Sequence, residues 1–452
     1  MTDNLVDFAE PITDQRRLVE FLAAGETEQQ LIGVEHEKFV FCRDSLMPLP
    51  YGGHGGIRQI LENLQRFGWR PETECGNLIG LSDEGAGISL EPGGQLEYAS
   101  APLQTLHQVA AALSKHLDQA NGSATQLDAG LLGLGFYPKW HRDKVFWIPR
   151  SRYALMRTYM PSVGRLGLDM MSRSCSIQVN LDFASESDMV RKYRIALALQ
   201  PIVSALFANS PFRANQPAGF LSYRGHVWTE TDADRCGLPG FVFEPGMGYE
   251  RYVEYVLDTP MYSVQQGGAH LDLTGQSFRD FLQGRLRGLP GERPTLADWK
   301  AHLNTLMPEV RLKQVLEMRG ADSGSLAATL AVPALWAGLL YDATACDVTW
   351  DLVKNWQAPE CAELWRRAPQ LGLRTPFRNS SVRHYAREVL AIAREGLRRR
   401  ACLDAAGHDE TLFLDIAQGF VDSGQTAADM LLEAYYERGR DGVDFVFETC
   451  AY

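Results

Sequence analysis

The chain has 452 residues, a formal net charge of -12 at pH 7, and 45% hydrophobic and 22% charged residues. This is the composition of a well-cored globular chain rather than a fibrous or disordered one, and its acidic balance argues against a nucleic-acid binder, which carries clustered lysine and arginine. The eight cysteines are scattered with no C-x-x-C pair, which excludes a small disulfide framework, argues against structural zinc and leaves them as reduced thiols.

From Met1 to Arg17 there is no basic stretch followed by an apolar core and no serine–arginine bias. Neither a secretory signal nor a transit peptide is read there, and a cytoplasmic protein is expected. Length alone allows about three domains. No repeat, low-complexity tract or linker breaks residues 1–452, however, so the mixture of helical and extended patterns predicts one α+β body.

The first extended segment is Leu31–Cys42. In a strand, Glu35 and Glu37 point the same way, beside Gly33. Two carboxylates on one face repel unless a cation sits between them or one is protonated. The alternative is a solvated edge strand, against which Ile32, Val34, Phe39, Val40 and Phe41 argue. Ile57, Ile60, Leu61 and Leu64 then recur at helical spacing. Ile88–Ala99 is extended but broken by Pro92-Gly93-Gly94, a turn that allows close backbone approach, with Glu91 and Glu97 on either side. An ordinary surface hairpin has the same look.

Leu106, Val109, Ala110, Leu113 and Leu117 predict the next helix. Gly133-Leu134-Gly135-Phe136 reads as a tight turn, since it lacks the rest of a dinucleotide fingerprint, and no Walker loop occurs anywhere. Cys175–Phe183 alternates cleanly. Cys175, Ile177, Val179, Leu181 and Phe183 make an apolar face, and Ser176, Gln178, Asn180 and Asp182 the other, which is either a solvated sheet face or the floor of a polar pocket. Cys175 on the apolar face reads as packing rather than as a nucleophile. A helix over 187–208 follows, with Ser187-Asp188 as its cap.

In the segment Leu312–Arg319, Lys313, Glu317 and Arg319 share a face if the chain is extended. Glutamate suits hard divalent cations, and lysine and arginine suit phosphate oxygens; a surface salt bridge gives the same pattern. The apolar run Leu326–Tyr341 contains Pro333 and is shorter than the roughly 20 residues a membrane span needs, so it is expected to be a core helix. Helices at about 383–400, 409–420 and 426–437 complete the chain. Arg398-Arg399-Arg400 lies at the end of the first of these, where cations suit the helix dipole.

Several acids on strands, with basic residues nearby, fit more than one magnesium ion bound together with a nucleotide, because magnesium takes few carboxylates and completes its shell with water and phosphate oxygens. At these same residues the sequence resembles the plant-type glutamate–cysteine ligases, which include proteobacterial members. The matching stretches include IGVEHEKFVF (32–41), ISLEPGGQLEYASAPLQTLHQ (88–108), PSVGRLGLDMMSRSCSIQVNLDF (161–183), GFLSYRGHVWTETDADR (219–235) and PEVRLKQVLEMRGAD (308–322), within a likeness spanning roughly 10–452.

The resemblance implies a curved, mainly antiparallel sheet forming a cup-shaped active site, with helices packed outside. It also implies ATP-dependent joining of the γ-carboxylate of glutamate to the amine of cysteine through a γ-glutamyl phosphate. Glu35, Glu37, Glu97 and Glu317 match metal-binding acids of the family, with Glu91 and Gln178 as further candidates, and Arg319 and Lys313 would face the phosphates. Arg157 and Arg224 would hold substrate carboxylates, or serve only as structural ion pairs, while Trp228 and Tyr255 would wall the pocket. The implied partners are ATP, L-glutamate and L-cysteine, in a monomer or weak homodimer with no nucleic-acid or membrane partner. Plant members carry a regulatory disulfide whose matching positions here are Leu273 and Gly288, so that switch is not implied. Two rivals remain: a related carboxylate–amine ligase with a different amine acceptor, and a non-catalytic metabolite-binding relative.

Overall fold

The computed structural model describes residues 10–266 and 269–452. Residues 1–9, on which half of the N-terminal reading rests, lie outside them. The centre is a nine-stranded sheet. Its strands are β1 (Ile32–Cys42), β2 (Arg70–Glu74), β3 (Asn77–Asp83), β4 (Ala86–Leu90), β5 (Leu96–Ala99), β6 (Ala129–Leu132), β7 (Ser176–Leu181), β8 (Val310–Leu312) and β9 (Leu316–Asp322). The order is β8-β9-β7-β1-β5-β4-β3-β2, with β6 also pairing β1. Each of these pairings is antiparallel, so the α+β expectation with a mainly antiparallel sheet holds.

Alternation decides what each face of the sheet carries. On β1, Ile32, Val34, His36, Lys38 and Val40 are buried, whereas Glu35 and Glu37 are only half-buried. The helices Leu106–Thr125 and Leu326–Leu340 contact β1, and the latter also contacts β7. The helix Glu186–Leu206 lies against β8 and β9. The largest apolar cluster runs from Ile12 to Val421.

The helices fall close to their predicted places, and two details differ. The helix over 187–208 is Glu186–Leu206, and its cap is Ser185, which accepts from the Asp188 amide, not Ser187-Asp188. The segment 409–420 divides into a 3-10 turn, Glu410–Leu414, and a helix, Asp415–Ser423. Leu326–Leu340 is buried along almost its whole length and accommodates Pro333. No single helix among the described residues is long and apolar enough to cross a membrane; that helix and Ala343–Val353, bent by 90°, pass together on length and composition. The arginine run is tied down at its helix end by Arg398–Glu395, Arg399–Asp342 and Arg400–Glu410 pairs. All eight cysteines are free. The reading of Cys175 as packing fits the structure, where burial, with the Glu37 charge adding to it, pushes the thiol well above its usual range.

Gly133 and Gly135 are not a phosphate loop. A Cβ at Gly135 would lie 2.4 Å from the Asp322 carboxyl carbon, and one at Gly133 would lie 2.6 Å from the Gly324 carbonyl. The chain passes too close to the end of β9 to allow a side chain at either position.

Candidate active site

Strand register assembles the polar face row by row. Glu37 stands opposite Glu97 across β1 and β5, and Glu97 opposite Ser89 across β5 and β4. Glu35 stands opposite Gln178 on β7. Asn180 lies between Gly33 on β1 and Glu317 on β9, and Glu317 faces Arg311 on β8. Directly opposed residues are about 5 Å apart at Cβ, so acids from three distant segments share one floor.

Three of these acids have only neutral partners. Glu35 accepts from Asn180 Nδ2 at 2.8 Å. Glu37 accepts from the Ser176 amide at 2.5 Å, from Ser176 Oγ at 3.1 Å and from Gln178 Nε2 at 3.4 Å. Glu97 accepts from Ser89 Oγ at 2.8 Å. Desolvation raises all three, reinforced by Glu317 and Glu97 at Glu35, by Glu97 and Glu91 at Glu37, and by Glu91 at Glu97. Their pKa values are pushed up to about 7, about 8 and about 7. A carboxylate face held off ionisation by burial, and further by mutual repulsion, is short of positive charge, and divalent cations supply it. Among the described residues, no group of three acid, histidine or cysteine side chains closes into a ready-made metal cage. The donor set fits magnesium, which needs only one or two carboxylates beside water and phosphate oxygens.

Glu317 is different. It is fully buried. Arg311 grips both its oxygens, with Nε 2.5 Å from Oε2 and Nη2 3.0 Å from Oε1. Lys313 Nζ donates to Oε1 at 2.8 Å and Arg319 Nη1 to Oε2 at 2.9 Å. Burial alone would raise this carboxyl, but Arg311, Lys313 and Arg319 hold it well below the usual range. Its lone pairs are taken by cations, so the structure shows it as the anchor of a basic corner. Gln178 is likewise engaged, its Oε1 accepting from Arg319 Nη1 at 2.5 Å.

Arg319 sits at a β-bulge, where the β9–β7 register slips between Met318 and Ala321. A Cβ at Gly320 would lie 2.2 Å from Glu309 Oε2 and 2.5 Å from Gln200 Nε2, so a side chain there would have to displace these two side-chain ends. Arg224 clamps it, donating from Nη2 to the Arg319 carbonyl at 2.9 Å and from Nη1 to the Gly320 carbonyl at 3.1 Å. Only Arg224 Nε is left without a partner. Trp228 lies against this guanidinium, whose carbon is 5.6 Å from the ring centroid, and its own Nε1 is buried and unpaired.

Other expected residues fall elsewhere. Arg157 is exposed, stacks on Trp147 at 4.8 Å and lines a separate recess of about 580 Å³ with Asp169, Arg173, Arg213 and Tyr223. Tyr255 packs against Phe241 and Tyr252. Lys313 lies in the turn between β8 and β9, not on a strand, yet still reaches Glu317. Glu91 is half-buried, with Tyr153 Oη 3.5 Å away.

Two basic residues were missed by sequence reasoning. One is Arg311, in the same short stretch as Lys313. The other is Arg152, in the helix Ser151–Val163. Arg152 is exposed, as Arg157 is, and against partial desolvation Tyr153 and the carboxylates of Glu91 and Glu97 hold it above its ordinary range. Arg152 and Arg157 are five residues apart, which turns them roughly 140° from each other on a helix. Helical phase was the available signal, and it separates the arginine beside the acids from the one that is not.

The chain matches the model of Glutamate-cysteine ligase family 2 (GCS2) over residues 31–448. The chain belongs to this family. The chloroplastic glutamate–cysteine ligases of Nicotiana tabacum and Arabidopsis thaliana are each 47% identical to it over 454 aligned positions, covering 100% of this chain and 85% of theirs. Ligase B of Oryza sativa subsp. japonica is also 47% identical, with 90% of its length covered. Among solved structures, a glutamate–cysteine ligase from Francisella tularensis in complex with AMP superposes with a TM-score of 0.55 at 13% identity, covering 94% of this chain and 88% of that one. A bifunctional glutathione synthetase from Pasteurella multocida gives 0.53 at 14% identity, covering 96% and 53%. At those identities the likeness establishes the fold. The family's known reaction is the ATP-dependent γ-glutamyl ligation, and full-length kinship with enzymes favours the enzyme reading over a non-catalytic binding relative. The cytoplasmic expectation is overturned, since these ligase-family relatives are chloroplast proteins.

The acid face gives the ligase-family chain a pH signature. Glu35, Glu37 and Glu97 have raised folded-state values, so these three groups bind more protons in the folded than in the unfolded chain between about pH 4.5 and 8 and withdraw stability as pH rises through that window. Buried His36, His116, His302 and Lys38, whose values are lowered, act in the opposite direction. The melting temperature of metal-free protein, taken relative to Glu37→Gln, is therefore expected to fall from pH 5.5 to 8. Magnesium with ATP should raise it more at pH 8 than at pH 6, because ligands must be deprotonated. Differential scanning fluorimetry across that range checks this, and an equal magnesium shift at both pH values would refute it.

Proposed function

We propose that this protein joins the γ-carboxylate of L-glutamate to the amine of L-cysteine at the expense of ATP, forming γ-glutamylcysteine, ADP and phosphate. The observation that carries the reading is one sheet face on which three acids lack a cationic partner, next to a corner whose cations outnumber its single carboxylate. Glu35, Glu37 and Glu97, with Glu91 and Gln178 beside them, would hold magnesium. Glu317 would join them only if Lys313 or Arg319 first released one of its oxygens. Bound magnesium neutralises charge on the nucleotide phosphates and on the phosphoryl group in flight.

The chain's own residues position the reactants. Lys313 and Arg319 draw the phosphates towards the acid face. A γ-carboxylate oxygen of glutamate attacks the γ-phosphorus and ADP leaves. The cysteine amine then attacks the acyl carbon, phosphate leaves and the amine gives up a proton. Arg152, on which the Glu91 and Glu97 charges act, joins Arg157 and Arg224 as a candidate to hold substrate carboxylates, and Trp228 walls the pocket. Tyr255, half-buried against Phe241 and Tyr252, is the further candidate for the pocket wall. The catalytic unit is the whole of 1–452, acting as a monomer or weak homodimer on small molecules, with no nucleic-acid or membrane partner; a core continuous from Ile12 to Val421 supports a single unit.

The test is ADP release from purified protein with ATP, magnesium and glutamate, with and without cysteine, and the product identified by mass. Cysteine-dependent release with a γ-glutamylcysteine mass is expected. Release that requires a different amine would keep the mechanism and change the acceptor, and no release with any amine would sink the reading.

A further inference from the structure

Arg311 lies outside the acid face but controls its basic corner. It is buried, with 7% of its surface exposed. Four of its five N–H donors are used: Nε and one Nη2 hydrogen on the two oxygens of Glu317, and both Nη1 hydrogens on the carbonyls of Asn304 at 3.0 Å and Leu306 at 2.9 Å. The two carbonyls fix the guanidinium from behind, and the paired register of β8 and β9 sets Arg311 directly opposite Glu317. Arg311 is thereby committed to Glu317 and to the backbone.

Its effect is on charge balance. Glu317 carries one negative charge, and three cations share it. Arg311 makes the two-point contact, the strongest of the three, and together they form a neutral pair locked to the backbone. Lys313 and Arg319 each reach the same carboxylate through a single nitrogen, and both are less buried than Arg311 by side-chain exposure, at 25% and 14% against 9%. The pair thus holds two cations in place without cancelling their charge.

Resting on the ligase reading above, we infer that Arg311 is a positioning residue: it neutralises Glu317 so that Lys313 and Arg319, hung on that carboxylate, keep their positive charge for the nucleotide phosphates. Without Arg311, the carboxylate would draw on Lys313 and Arg319 alone, and the corner would drop from two net positive charges to one. Removing Glu317 as well would restore two.

The test is calorimetric titration of ATP with magnesium, in the absence of glutamate and cysteine, into wild type, R311K, R311M and R311M/E317Q, with KM and kcat measured in parallel. R311M is expected to bind ATP about tenfold more weakly, with KM for ATP moving more than kcat. R311K, which keeps the charge, should stay within about threefold of wild type, and R311M/E317Q should regain most of the lost affinity. Unchanged ATP affinity in R311M would overturn the inference. So would a double variant no tighter than R311M, or an R311K as weak as R311M, since both mark a purely structural role. If R311M does not fold, R311K and the double variant decide the matter on the same criteria. Wild type that binds ATP but shows no cysteine-dependent ADP release would overturn only the ligase reading; wild type that binds no ATP would overturn both.

Discussion

Glu37→Gln should leave the fold intact and lower cysteine-dependent ADP release by about 10²–10³-fold, and Glu35→Gln should do the same. Each change keeps the shape of the side chain and removes a negative charge from a floor where Glu35, Glu37 and Glu97 have only neutral partners. An amide is a poor substitute for a carboxylate toward magnesium, and phosphoryl transfer depends almost wholly on positioning and charge neutralisation. The same substitution relieves repulsion, because each acid is raised in part by its acidic neighbours. Metal-free Glu37→Gln should therefore melt no lower than wild type while magnesium with ATP raises its melting temperature less. That combination separates a lost ligand from a damaged fold. Rates like wild type at saturating magnesium would refute the metal assignment.

Asp322→Ala should destabilise the protein by about 3–5 kcal/mol, the range for breaking a buried charge pair by removing one partner. Asp322 is 2% exposed and closes β9. It accepts from the Asn209 amide at 2.9 Å, from Ser210 Oγ at 2.6 Å and from Ser222 Oγ at 2.9 Å, and lies 3.9 Å from Arg224 Nη1. Truncation leaves buried donors without an acceptor and the nearly buried Arg224 without its counter-charge. Because Arg224 clamps the bulge that aims Arg319, activity should fall together with stability. Urea unfolding measures the loss, with Asp322→Asn expected to be intermediate. A change below about 1 kcal/mol would show that the network relaxes around the gap.

The local rules of chain geometry were enough to place the acids of the first strand. Side chains two apart share a face, so Glu35 and Glu37 had to point together, and flanking apolar residues had to place that strand in a core. The same rule separated Gln178 and Asn180 from Ile177 and Val179. Helical periodicity found Ile57–Leu64 and the buried helix Leu326–Leu340 within a residue or two, and found the helix that starts at Leu106 as far as Leu117, beyond which it runs on to Thr125. The family likeness rested on these same stretches. Periodicity could not say which strands lie side by side, because pairing between β1, β7 and β9 joins segments far apart in sequence and is decided by how whole faces bury one another.

For that reason tertiary structure alone decided three matters. It made Glu317 a saturated anchor, because Arg311, Lys313 and Arg319 converge on it only when β8 folds back on β9. It set Arg152 where the Glu91 and Glu97 charges act on it and Arg157 against Trp147, because the neighbours of a helix are fixed only once it packs. And it set Tyr255, half-buried, against Phe241 and Tyr252, because a tyrosine's pattern in sequence is the same whichever rings it meets.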